Sequence, residues 1–399
     1  MSTTQSRGEN TVPKRLLLGP GPSEVDPEVL RALTMPPLGH LDPALLEMMS
    51  DAQEQLRGAF RTRNKLTLAI SGTGTAGMEA ALVNTIEPGD TVLVGVIGYF
   101  GERLAEIARR CGGEVRIIET EWGRMLDPDA VRAAIQATRT RVVCMVHAET
   151  STGVYQDLTG IADAAQSAGA LLMVDAVTSL GGQPLHVDDW GIDVCYSGSQ
   201  KCLGAPSGLA PITFSERAVK RIRARTTPVH SFYLDALLLE KYWDDRQYHH
   251  TISAPLIYSL HAALGLLHAE GLEARWDRHR HNHDALRAGI EALGLRYLPD
   301  EKHSLWPLNA VLVPDGLDEM AIRQALLKEH SIEIGGGLGP LKGKLLRIGL
   351  MGYGAQRAHV LQLLAALEMV LWDNGHKVDA GAGVQAAMQV YAHRSMAGK

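Results

Sequence analysis

Cysteine is scarce. Cys111, Cys144, Cys195 and Cys202 are the whole complement, and no two stand at a C-x-x-C spacing. That argues against a disulfide framework or a thiolate zinc site, and it fits a reducing, cytoplasmic setting. No apolar run reaches the roughly 18 residues of a membrane span. Met1-Ser-Thr-Thr-Gln-Ser-Arg-Gly-Glu-Asn10 is polar, so we expect no secretory signal, and the end at Lys399 is not a peroxisomal address. There is no long basic block, and the net charge is -6. Lys220-Arg-Ile-Arg-Ala-Arg225 is short and interrupted, and reads as a solvated helix face rather than a nucleic-acid patch. His279, His281 and His283 stand among Arg and Asp. Two of them are spaced i,i+4, as metal ligands can be, but the surroundings predict a solvated face and no metal. Repeats and low-complexity segments are absent.

What is present is a long alternation of strand and helix. Apolar runs of strand length fall at 66–70, 91–96, 114–118, 141–146 and 170–175, with helical periodicity between them. Strands apolar on both faces predict an α/β fold with a largely parallel sheet covered by helices. A strand over 209–214 fits an antiparallel return. Beyond residue 272 the pattern reads α+β, with strands near 309–313 and 345–350 and helices over 318–329, 357–371 and 384–393. A chain of 399 residues is too long for one simple core. We expect an arm over 1–20, a large domain over 21–272 and a small domain over 273–399. Three prolines and a glycine bar regular structure from 35–43. Ser23 is placed to cap a helix over 25–32, and 332–339 reads as a mobile glycine-rich loop.

Several strand ends carry chemistry. The strand in Leu171-Leu-Met-Val-Asp-Ala-Val-Thr-Ser-Leu-Gly-Gly182 ends on an acid, Asp175, and the next short strand leads to a lone lysine, Lys201. Such a pair suits pyridoxal phosphate. The lysine attaches the cofactor, and the carboxylate keeps a proton on the ring nitrogen. Ser71-Gly-Thr-Gly-Thr-Ala-Gly77 turns into a helix and offers an anion free backbone N–H groups, with the Thr73 and Thr75 hydroxyls beside them. The same glycines match a dinucleotide fingerprint, but the next strand ends without the ribose-binding acid. No Lys-Ser/Thr follows them, which argues against a P-loop. Phe100 falls between glycines in an expected loop, where an aromatic can stack on a flat ring or simply pack in the core. Arg347 interrupts an apolar strand, so its guanidinium needs an anion: a substrate carboxylate or a structural Asp/Glu.

Taken together, Leu16-Leu-Leu-Gly-Pro-Gly-Pro-Ser23, Tyr196-Ser-Gly-Ser-Gln-Lys201, Tyr248-His-His-Thr251 and Leu346-Arg-Ile-Gly-Leu350 resemble the class V aminotransferases. The resemblance runs from about residue 15 to 372, and within the family it points to the alanine–glyoxylate (serine–pyruvate) group. It implies fold-type I, with a mostly parallel seven-stranded sheet, and pyridoxal 5'-phosphate. It further implies Lys201 as the attachment lysine, Asp175 as the ring-nitrogen partner, Phe100 as the stacking ring and Thr150 as a ring-hydroxyl contact. Thr73, Gly74, Thr75 and Gln200 would take the phosphate. Tyr248 and Thr251 would reach the phosphate of a neighbouring subunit in a homodimer. Arg347, with Gly39 and His40, would face the substrate. The reaction implied passes an amino group from alanine or serine to glyoxylate or pyruvate.

Thr75 stands where relatives often carry His, and Phe100 where many carry Trp; both changes keep the role. Leu38-Gly-His-Leu-Asp-Pro43, Lys201-Cys-Leu-Gly-Ala-Pro-Ser-Gly208, Met351-Gly-Tyr-Gly354 and the stretch 380–388 are also similar to ureidoglycine–glyoxylate aminotransferases. His40 and Tyr248 replace the amide-reading residues of those enzymes, which favours the alanine/serine reading. Pyridoxamine–pyruvate and aminoethylphosphonate enzymes fit less well. A cysteine desulfurase needs a cysteine beyond Cys202, and a non-enzymatic binder on this fold is expected to lose Lys201 or Asp175, which are both here.

Overall fold

The computed structural model describes residues 12–397. Seven strands form the main sheet, in the spatial order Leu66–Ser71, Leu209–Phe214, Val194–Tyr196, Leu171–Asp175, Val142–Val146, Thr91–Val96, Glu114–Glu119. Leu209–Phe214 runs antiparallel to both its neighbours, as its sequence position after a Gly/Pro turn predicts. The other pairings are parallel. Their register brings Val146, Asp175 and Tyr196 level, so three strands deliver side chains to one carboxyl edge. In open α/β sheets that edge is where ligands bind.

A four-stranded antiparallel sheet follows, ordered Arg296–Tyr297, Leu308–Leu312, Leu345–Gly349, Gly335–Gly336. Helices Leu272–Ala292, Glu319–His330, Arg357–Asp373 and Ala382–Ala397 accompany it. Each sheet has its own apolar core: one around Leu68, Val94, Val143 and Leu172, the other around Val311, Leu346, Ile348 and Leu364. The four cysteines are buried and free.

The chain's first described stretch joins the two units. Leu16 and Leu17 pair in parallel with Ile332 and Glu333, and the Leu18 carbonyl accepts from the Gly349 N–H at 2.8 Å. A few residues on, the Ser23 N–H donates to the Gln200 carbonyl at 2.9 Å and the Ser23 hydroxyl to the Lys201 carbonyl at 2.9 Å. Residues 1–11 of the expected arm lie outside the described residues.

Several local expectations need correction. Ser23 caps nothing; the first helix is Pro27–Leu33, capped by Asp26 through the Glu28 N–H. Phe100 is not in a loop but in the first turn of the Tyr99–Arg110 helix. The glycine-rich turn is shorter than expected, because Gly74 already opens the Gly74–Thr85 helix. Residues 332–339 are not a free loop: Ile332–Glu333 and Gly335–Gly336 are strands paired on Leu16–Leu17 and Leu345–Gly349. His279 and His283 do not face solvent. His279 accepts from the Gly352 N–H at Nε2 (3.0 Å) and bonds the Arg275 carbonyl through Nδ1 (2.7 Å). His283 meets Asn309 at 2.7 Å. Burial holds both imidazoles neutral, so they fasten the long helix to the small sheet. Arginines lie close to both: Arg278 donates to the Gly352 carbonyl, and the charges of Arg278 and Arg275 on His279 and of Arg287 on His283 add to the lowering.

Candidate functional site

At the carboxyl edge of the main sheet lies a cavity. Thr73, Gly74, Thr75, Phe100, Thr150, Asp175, Gln200 and Lys201 all line it. Eight residues drawn from across 128 positions of sequence thus meet in one place (201 minus 73).

Asp175 ends its strand with one carboxylate oxygen accepting the Val177 N–H (2.9 Å) and the other the Tyr196 hydroxyl (2.8 Å). Burial pushes its pKa up to about 6, against the lowering effect of those two bonds and of Lys201. The carboxyl therefore ionises later than a free aspartate and is mostly carboxylate by neutral pH. Lys201 is 9% exposed. Its Nζ donates to the Pro20 carbonyl, and burial brings its pKa down to about 8, with the Arg347 charge adding to the fall. Gly21 passes so close that a Cβ there would stand 2.6 Å from Lys201 Cδ, at a φ of +106°. Only glycine suits that crossing.

Thr73 precedes the Gly74–Thr85 helix without donating a side-chain cap, so the helix start is open to an anion. Gln200 Oε1 is buried and has no hydrogen-bond partner among the described residues. A buried acceptor in that state requires a donor.

Phe100 is held from behind. Its N–H and that of Gly101 donate to Glu149 Oε2 at 3.1 and 3.4 Å. The other oxygen, Oε1, accepts from the Ser151 N–H and hydroxyl at 3.0 and 2.7 Å. Glu149 thereby caps the helix that carries Phe100, with its pKa pushed up to about 7 by burial. Arg347 is 7% exposed, and it reaches the Thr150 carbonyl from Nη1 (3.2 Å) and the Gly336 carbonyl from Nε (2.6 Å). It has no ion pair among the described residues. Burial lowers its pKa to about 10. Of the two anions weighed for it, no structural carboxylate lies within ion-pair distance among the described residues, although Glu149 and Glu319 act on its charge from farther off.

Arg347 does not itself line the cavity but bonds Thr150, which does; four other expected residues lie apart. Tyr248 is 59% exposed and stacks at a tilt on His40, with ring centroids 5.0 Å apart. Thr251 and Gly39 are also exposed, and none of the four lines the cavity. The loop is irregular over 35–42 but not at Pro43, which opens the helix Pro43–Phe60 because proline suits a first helical position; Tyr258 and Tyr242 hydroxyls pin the loop through the Pro36 and His40 carbonyls. Tyr196, Glu149 and Arg103 belong to the site but were not singled out from sequence. Tyr196 had a signal: it ends the strand beside Asp175. Among the described residues no group of three His, Cys, Asp or Glu is placed for a metal. Among the described residues no helix is long and apolar enough to cross a membrane.

The residues fit pyridoxal phosphate. An uncapped helix start suits a phosphate, a buried carboxylate suits a protonated ring nitrogen, and a lysine with a depressed pKa suits an aldehyde.

The aminotransferase class-V family profile matches residues 28–352. The alanine–glyoxylate aminotransferase of Drosophila melanogaster is 42% identical over 362 residues, covering 89% of this chain and 92% of its own. Among solved structures, an alanine–glyoxylate aminotransferase from Nostoc sp. shares 48% identity with a TM-score of 0.89, over 90% of this chain and 96% of that one. A ureidoglycine–glyoxylate aminotransferase from Bacillus subtilis shares 44% with a TM-score of 0.95, over 96% and 100%. With the sheet order, the paired acid and lysine and these likenesses in agreement, the chain belongs to the class V aminotransferases, pyridoxal-phosphate enzymes of fold-type I.

Proposed function

We propose that this aminotransferase moves the amino group of a small amino acid, alanine or serine, onto glyoxylate. Glyoxylate is the acceptor named for both the Nostoc and the Bacillus relatives. The observation that carries the reading is Arg347. It is a buried guanidinium without a carboxylate partner, near enough to Lys201 to lower the lysine's pKa. A planar, forked cation so placed suits the α-carboxylate of an amino acid.

The residues divide the work. Bound pyridoxal phosphate supplies an aldehyde that condenses with amines and a ring that accepts the α-carbon's electron pair. Lys201 would hold that aldehyde through Nζ, and its free amine would be the base placed for the α-proton. A pKa of about 8 leaves a useful fraction of the amine neutral near pH 7 to 8. Asp175 keeps a proton on the ring nitrogen, and Tyr196 and Val177 fix its carboxyl. Phe100 would stack on the ring, Thr150 would contact its hydroxyl side, and Thr73, Gly74, Thr75 and Gln200 would take the phosphate. Arg347, with Gly39 and His40 at the rim, orients the substrate.

The exposed pair Tyr248 and Thr251 completes the phosphate site of a second subunit in a homodimer. In support, Met35, Leu38, Leu41, Phe232 and Tyr233 are exposed apolar residues in the same two regions of sequence. Separate apolar cores support domains over 21–272 and 273–399. Four free cysteines suit the cytoplasm.

A second reading, ureidoglycine as donor, is favoured by the Bacillus structure, which covers 96% of this chain where the Nostoc structure covers 90%. Mixing the yellow holoenzyme separately with alanine, serine and ureidoglycine decides between them. Bleaching of the visible band by alanine or serine supports the first reading; bleaching by ureidoglycine alone replaces it with the second.

A further inference from the structure

The expected phosphate cup contains no charge: Thr73, Gly74, Thr75 and Gln200 are all neutral. A phosphate dianion in a largely buried site calls for a cation. Two cations line the cavity, Lys201 and Arg103. Lys201 is committed to the aldehyde, which leaves Arg103.

Its position follows from the helix that carries it. Arg103 lies four residues after Tyr99 and three after Phe100, on the same face, and helical side chains lean toward the N-terminus. The guanidinium therefore passes over both rings, 4.9 Å from the Phe100 centroid and 5.2 Å from that of Tyr99. It ends on the cup, where Nη1 donates to Thr75 Oγ1 at 3.1 Å. Among the described residues Arg103 has no ion pair, and it is only partly exposed. A half-buried guanidinium resting on a hydroxyl and two π-faces has donors left over.

We propose that Arg103 is the charged phosphate-binding residue of this site, held in place by Tyr99 and Phe100 and handed to the phosphate through Thr75. The proposal rests on the reading of the cavity as a pyridoxal phosphate site. Phe100 then serves twice, stacking on the ring and forming the platform for the arginine.

The test separates phosphate from ring. Cofactor-free wild type, Arg103→Lys and Arg103→Gln are titrated with pyridoxal 5'-phosphate and with pyridoxal, which lacks the phosphate, and the yellow lysine-bound band is read. In Arg103→Gln the Kd for pyridoxal phosphate should rise about 10- to 100-fold, as for loss of a charge-assisted bond. The Kd for pyridoxal should stay within about 2-fold, and Arg103→Lys should keep most of the phosphate preference. An equal weakening toward both aldehydes, or binding of neither, overturns the proposal, because the arginine then serves only the ring or the local fold. An unchanged preference in Arg103→Gln overturns it as well. If wild type forms no yellow band with either aldehyde, the reading of the cavity itself fails instead.

Discussion

The inner wall of the cavity and its outer rim are built differently. The wall is finished within one chain: Asp175, Tyr196, Lys201 and Glu149 are buried and hydrogen-bonded to their own neighbours. The rim is not. Tyr248 is 59% exposed, and neither it, Thr251, Gly39 nor His40 touches the cavity that it is expected to serve. Buried groups have pKa values set by burial, which one chain settles alone. Exposed groups with an expected site role point to something docked over them. On the proposed reading, chemistry resides in the wall, and the rim is where assembly and donor choice would enter.

The largest effect expected is in the wall. Lys201→Ala should lower kcat by about 10⁴-fold, the upper range for loss of an acid–base group, and remove the yellow band. Turnover that survives breaks the comparison at its root. Next comes Arg347→Gln. Loss of a charge-assisted carboxylate contact should lower kcat/KM for the amino donor by about 10²-fold, with the cofactor's spectrum intact. Equal loss of cofactor would move Arg347 from substrate to scaffold. In the rim, Thr251→Ala should weaken cofactor retention by about 10-fold, as for one hydrogen bond. Co-expressed with Lys201→Ala it should regain activity in mixed dimers, since one of the two sites then has both a lysine and a threonine. Failure to complement would place Thr251 in its own subunit's business.

The smallest effect is on stability, and its sign is opposite. Asp175 has a folded pKa raised from 3.8 to about 6. The native state therefore holds more protons than the unfolded chain between those values, and stability falls as pH rises through the window. Above it the penalty is complete. Asp175→Asn removes the charge, so the cofactor-free protein should be stabler by about 1–3 kcal/mol at pH 8. The gain in Tm should shrink toward pH 4. A loss of Tm at pH 8 would mean that the hydrogen bond from Tyr196 outweighs the burial of charge.

Much of this was legible in sequence, for physical reasons. Asp175 and Lys201 follow strands, and a period-2 or all-apolar run announces its own end. The cup was legible because glycines at a strand–helix turn have few other uses. Arg347 stood out as one charge in an apolar strand. What stayed hidden depends on docking between distant segments. Glu149 reaches Phe100 across 49 residues and Arg103 reaches Thr75 across 28, and neither spacing leaves a local pattern. His279 and His283 were misread because composition was weighed over period: flanking Arg and Asp say nothing about the face the imidazoles occupy.

The stretch from Leu16 to Ser23 has a consequence for how the protein is made. Its partners are Ile332, Glu333 and Gly349 on one side and Gln200 and Lys201 on the other. During synthesis the lysine leaves the ribosome about 150 residues ahead of Gly349 (349 minus 201). Until that last strand emerges, the amino-terminal segment lacks its paired seat on the small sheet. The nascent chain therefore carries its reactive amine without its final cover through much of its elongation. Cofactor capture during that interval would proceed through a wider opening than the finished fold allows.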